Sequence, residues 1–160
     1  MMKKLIAIAL VLMLAFSLSV TAFAGSISQD STSKSTDVKV KTSIAPTYTV
    51  SIPADTSVTF NALTTSFGSV KLESAQIEPY AFVYVSLNAS GTLKNQADTS
   101  KTIAYTIQYG GNAFTGTSLT KAGQSKPLTI NITQDAWNAA YAGSYSDTVT
   151  FTVSYMKPAQ

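Results

Sequence analysis

The chain has 160 residues, with 11 lysines, no arginine, eight carboxylates, and neither histidine nor cysteine. Thiolate and imidazole chemistry, metal sites built from Cys and His, and disulfides are therefore excluded, and cohesion must come from packing and strand pairing. The lysines are scattered apart from Lys39 and Lys41, and no guanidinium exists to fork onto phosphate or guanine, so no nucleic-acid partner is expected.

The chain opens on Met1-Met2-Lys3-Lys4, followed by an uncharged run from Leu5 to Val20 and then Ala22-Phe23-Ala24. A basic start, an apolar stretch and small residues at an A-x-A site predict a signal peptide over 1–24. The alternative is an uncleaved anchor, but the run falls short of the roughly 20 residues a spanning helix needs. The expectation is thus export, with no membrane span after cleavage. Removing 24 of the 160 residues leaves 136, which is one domain, with nine lysines against eight carboxylates. Residues 25–37, GSISQDSTSKSTD, are small and polar and predict a flexible leader, because they cannot bury enough apolar surface to offset ordering.

From Val38 to Met156 the texture is that of strands, with 157–160 as a short tail. VKVKTSI (38–44) places Val38, Val40 and Ile44 on one side. It reads either as the first strand of the chain's own sheet or as a strand donated to another copy. TYTVSI (47–52) alternates until Pro53, and SVTF (57–60) resumes the pattern. FGSVKL (67–72) contains a glycine that suggests a bulge. AFVYVSL (81–87) is apolar at nearly every position and predicts a central strand covered on both faces. TIAYTIQY (102–109) alternates until Gly110-Gly111-Asn112, residues that tolerate positive φ. PLTINI (127–132) follows, and AGSYSDTVTFTVSY (142–155) ends the series with Val149, Phe151, Val153 and Tyr155 on one face. Seven to eight short strands separated by turn residues predict an all-β fold, an antiparallel β-sandwich.

TQDAWNAAYAG (133–143) breaks the β texture and predicts a short helical turn near 134–141, capped by Thr133 or Asp135 and ended by Gly143. Trp137 and Tyr141 would share a face there, as a plug over one end of the sandwich or as a sugar platform. Tyr145, after Gly143-Ser144, is a candidate for the tyrosine corner of immunoglobulin-like sandwiches, in which the phenol bonds back to upstream backbone. The other reading is an ordinary half-buried strand tyrosine.

No set of residues suited to catalysis is visible. The carboxylates form no D-x-D-x-D calcium loop, and Glu73 and Glu78 look like loop charges beside Pro79 rather than a glycosidase pair. STSK (31–34) has the S-x-x-K spacing but lies in the leader. The expectation is a protein that is not an enzyme and uses neither cofactor nor metal.

The ending A-G-x-Y-x-D-T-V-T-x-T-V-x-Y resembles that of spore coat protein U-type and related fimbrial subunits, and FGSV (67–70) is similar to the Phe-Gly step of their first half. YTVSIPA (48–54) resembles small secreted proteins of Gram-positive gut bacteria whose role is unassigned. The first resemblance implies an immunoglobulin-like sandwich at the cell surface and polymerisation by strand donation; the chain departs from it in having no cysteine. The expected function is a secreted, non-enzymatic surface, matrix or fimbria-like structural or adhesive protein, partnered by itself or by other surface proteins. The alternative is an extracellular glycan-binding module using Trp137, Tyr141, Tyr109, Phe114 or Tyr80.

Overall fold

The computed structural model describes residues 27–32 and 35–158; the expected signal peptide lies outside the described residues. The chain divides into two compact units, Met1–Thr42 and Ser43–Gln160. In the first, the Ser31 amide donates to the Ser28 carbonyl at 3.1 Å, and the Ser31 hydroxyl accepts from the Ser28 amide at 3.0 Å. Val38 and Val40 are 81% and 95% exposed and lie in no strand. Ile44, in the second unit, is likewise exposed and outside any strand. Among the described residues the alternating segment 38–44 is thus part of no strand.

The second unit is mostly β. Its elements are β1 (Thr47–Ser51), β2 (Thr64–Gln76), β3 (Phe82–Asn88), β4 (Thr92–Asn95), β5 (Thr102–Ala104), β6 (Thr106–Tyr109), β7 (Asn112–Ala113), β8 (Gly116–Leu119), β9 (Ser125–Asn131), the helix α1 (Gln134–Asn138), β10 (Tyr145–Ser146) and β11 (Thr150–Met156). They form three sheets, ordered β1-β2-β9-β6-β7, β10-β4-β5 and β11-β3-β8, and every pairing is antiparallel. One core draws on all three, with Val70, Leu72 and Leu128 from the first, Ile103 from the second, and Val83, Val85 and Leu119 from the third. Fully burying each such side chain stabilises the fold by about 1.5–3 kcal/mol.

Two glycine features follow the sequence reading. The register of β2 against β9 shifts between Ser66 and Gly68, where Gly68 has φ 92°. Gly110 and Gly111, at φ 57° and 82°, make the two-residue turn between β6 and β7, as a type I′ hairpin requires.

Other expectations are corrected. SVTF (57–60) is not a strand: the chain turns at Phe60 and Asn61, and Phe60 packs edge-on against Trp137, 5.6 Å between centroids. Its alternation is spent on side-chain packing rather than on a ladder. β3 is central in its sheet, but Tyr84 is 37% exposed, so only one face is covered. The strands read at 102–109 and 142–155 each divide in two. Ile103, Tyr105 and Ile107 are all buried as the alternation demands, yet β5 pairs with β4 while β6 pairs with β9. Periodicity records which face is buried and is silent about which strand lies alongside.

The helix is shorter than expected. Thr133 is its N-cap, accepting from the Ala136 amide at 3.2 Å, and Ala139 rather than Gly143 ends it. Trp137 is buried, and its indole N–H donates to the Ala62 carbonyl at 3.1 Å. Tyr141 lies beyond the helix and is exposed.

Candidate functional site

A cluster of polar side chains stands where three chain segments change sheets. The run β3–β4 crosses at Ser90 and Gly91, β5–β6 at Tyr105, and β10–β11 at Asp147. At each crossing the ladder is interrupted, and these residues bond to one another instead. The Tyr105 hydroxyl donates to Asp147 Oδ2 at 2.6 Å, the Ser90 hydroxyl to the same oxygen at 2.7 Å, and the Thr148 amide to Asp147 Oδ1 at 2.8 Å. The Tyr105 amide donates to the Gly91 carbonyl at 2.9 Å. Side chains thus supply the hydrogen bonding that the sheets give up at their corners.

Partial burial pushes the Asp147 carboxyl upward, but the hydrogen bonds from Tyr105, Ser90 and the Thr148 backbone outweigh it and hold its pKa below the ordinary value. Burial, reinforced by the hydrogen bond to Asp147, drives the Tyr105 phenol well above the usual tyrosine range. Tyr105→Phe is expected to cost about 1.5–3 kcal/mol at neutral pH, the range for a hydrogen bond to a charged group, and to fall at its lower end because Asp147 is half-exposed to screening solvent. The lowered carboxyl contributes stability that is present above the unfolded carboxylate pKa, about 4, and is lost as pH falls through the folded value. The raised phenol contributes stability that is present below about pH 10 and is lost above it. Urea denaturation should therefore show the gap between wild type and Tyr105→Phe narrowing progressively as pH falls below the unfolded carboxylate pKa of about 4. A gap as wide in acid as at neutrality would exclude a bond to the ionised carboxylate.

Two clefts flank this corner, sharing Thr56, Val58, Leu93 and Asp147 in their walls. The larger, about 750 Å³, is lined by Phe60, Trp137, Tyr141 and Tyr145 with Ser57 and Ser146. The smaller, about 520 Å³, has Ile52, Pro53, Phe67, Val149 and Phe151 in its walls. Along the rim of the larger cleft, the buried Asn95 side chain accepts from the Ala97 and Asp98 amides at 2.9 and 3.2 Å and donates to the Ala142 carbonyl at 3.4 Å. Gly143 lies against it at φ 144°, and a β-carbon there would collide with the Asn95 carboxamide.

The residues singled out in the sequence are scattered. The Tyr145 hydroxyl donates to the Tyr141 carbonyl, four residues upstream, at 2.9 Å. Trp137 and Tyr141 line the larger cleft together. Phe114 is a core residue, buried with the others. Tyr109 lies at the end of β6 under the Lys126 ammonium, 4.6 Å from its centroid. Tyr80 is 87% exposed in the turn before β3, at φ 66°. Asp147, Phe60, Ser57 and Ser146 were not singled out. Only Asp147 carried a signal, as the one carboxylate interrupting the last alternating run.

Among the described residues no group of three or more acidic, His or Cys side chains gathers as a metal site, and no helix is long and apolar enough to cross a membrane. Compared with protein-family models and with curated proteins, the chain matches none.

Proposed function

We propose that the protein is an exported, non-enzymatic structural or adhesive protein of a surface or matrix, an immunoglobulin-like sandwich that associates with copies of itself by strand addition. The observation that carries this reading is the half-covered inner face of β11. Val153 stands directly opposite Val85 in the register, so both point to the same face. Val85 is fully buried, whereas Val153 is 36% exposed. β11 is an edge of its sheet, and its neighbours Val149 and Phe151 line the smaller cleft. An edge strand with an uncovered apolar face is a template for another strand. The segment with Val38, Val40 and Ile44 has the alternation to occupy it. The Tyr145 hydroxyl bond to upstream backbone supports the immunoglobulin-like reading, since it has the form of a tyrosine corner.

The test is size-exclusion chromatography with light scattering on the mature chain and on a version beginning at Tyr48. Concentration-dependent oligomers that disappear on truncation are the expected result. A monomer at every concentration before and after truncation would overturn the reading. So would oligomers that survive both truncation and Val153→Lys.

A further inference from the structure

The larger cleft has features that self-association leaves unused. Its walls carry aromatic rings, of which Phe60 and Tyr141 are 72% and 62% exposed. Ser57, Ser146 and Tyr141 also line this region, and none of their hydroxyls has a hydrogen-bond partner among the described residues. Asp147 is the one charged side chain in its lining among the described residues. Its Oδ2 accepts from the Tyr105 and Ser90 hydroxyls and its Oδ1 from the Thr148 amide, and the Ser90 backbone also bonds to the carboxylate. The volume, about 750 Å³, falls within the roughly 300–1,000 Å³ of ligand clefts.

We infer that the cleft bounded by Phe60, Trp137, Tyr141 and Asp147 is a binding site for a short neutral oligosaccharide. A sugar ring has an apolar C–H face that suits the exposed phenyl and phenol rings. Its hydroxyls both donate and accept, matching the three unpaired hydroxyls of Ser57, Ser146 and Tyr141. A purely apolar ligand would leave those polar groups desolvated and unpaired, which is costly. An anionic ligand would meet Asp147, while the Lys101 ammonium, outside the lining, is held over the Tyr141 ring 4.6 Å from its centroid. The chemistry that remains is uncharged and rich in hydroxyl groups. This inference does not rest on strand addition, because the cleft lies in one copy of the chain.

The test is isothermal titration of the purified full chain with lactose, maltotriose, cellotriose, chitotriose and mannotriose, with 3′-sialyllactose as the charged comparison. Emission of the single tryptophan, Trp137 in the cleft wall, is followed in parallel. Saturable binding of at least one neutral sugar is expected, weakened roughly tenfold or more in both Phe60→Ala and Tyr141→Ala. Both side chains are exposed enough that their removal should leave the fold intact, and circular dichroism checks this. Lys121→Ala, exposed and outside the cleft, is expected to bind as wild type. No binding of any neutral sugar overturns the inference. So does binding that survives both cleft substitutions, or 3′-sialyllactose binding as tightly as lactose. Oligomerisation in the chromatography above is a separate readout, so either idea can fail without the other.

Discussion

Trp137→Ala is expected to cost about 3–5 kcal/mol, the range for deleting a large buried aromatic side chain. The indole is 8% exposed and belongs to the common core. Its N–H holds the Ala62 carbonyl and its ring makes a T-shaped contact with Phe60, so one side chain fastens the long 52–63 connection to the helix that follows β9. Trp137 is the only tryptophan, so unfolding is better followed by far-ultraviolet circular dichroism in urea than by fluorescence. A domain of this size has about 5–15 kcal/mol in total, and the variant should sit near the lower limit of foldability. Trp137→Phe separates the two contributions: it keeps an aromatic ring but orphans the Ala62 carbonyl, and should lose about 1–3 kcal/mol. A loss under about 1 kcal/mol for alanine would mean that the indole is a removable lid.

Trp137 also illustrates what the sequence could reveal. The break in β texture around it, the Thr133 cap and the helical turn are local properties, set within a few residues, and they were legible. The bulge at Gly68 and the two-glycine turn before Asn112 were legible for the same reason, since positive φ is a demand on single residues. The crossings at Ser90, Tyr105 and Asp147 were not. Tyr105 continues an unbroken alternation, and nothing in that pattern marks where hydrogen bonding passes from β4 to β9. Strands β4, β7 and β8 escaped because two to four residues with one apolar side chain show no period. The opposite error arose at 57–60, where alternation is present without a ladder. The cleft was half legible: Trp137 and Tyr141 stood out as aromatics, whereas Phe60 and Asp147 reach it through folding of segments distant in sequence.

The second large effect is a contrast within one sheet. β8 and β11 are both edges flanking β3, and Leu119 and Tyr155 both stand opposite Val83. Yet Leu119 on β8 is fully buried, while two residues from Tyr155, Val153 on β11 is 36% exposed. Leu119→Ala should therefore cost about 2–5 kcal/mol, since it leaves a cavity in a fixed core. Val153→Ala in the isolated chain should cost less than about 1 kcal/mol, because much of that side chain already faces water. Urea denaturation of dilute protein measures both. The asymmetry arises because β11 ends its sheet beside a cleft rather than beneath a covering strand. If copies do pair along β11, burial of Val153 would be completed only in the oligomer. Val153→Ala should then leave the dilute protein almost unchanged while lowering the apparent stability of the concentrated one, where association draws on the folded state. An equal, small effect at both concentrations would remove β11 as the joining edge while leaving the Leu119 result intact.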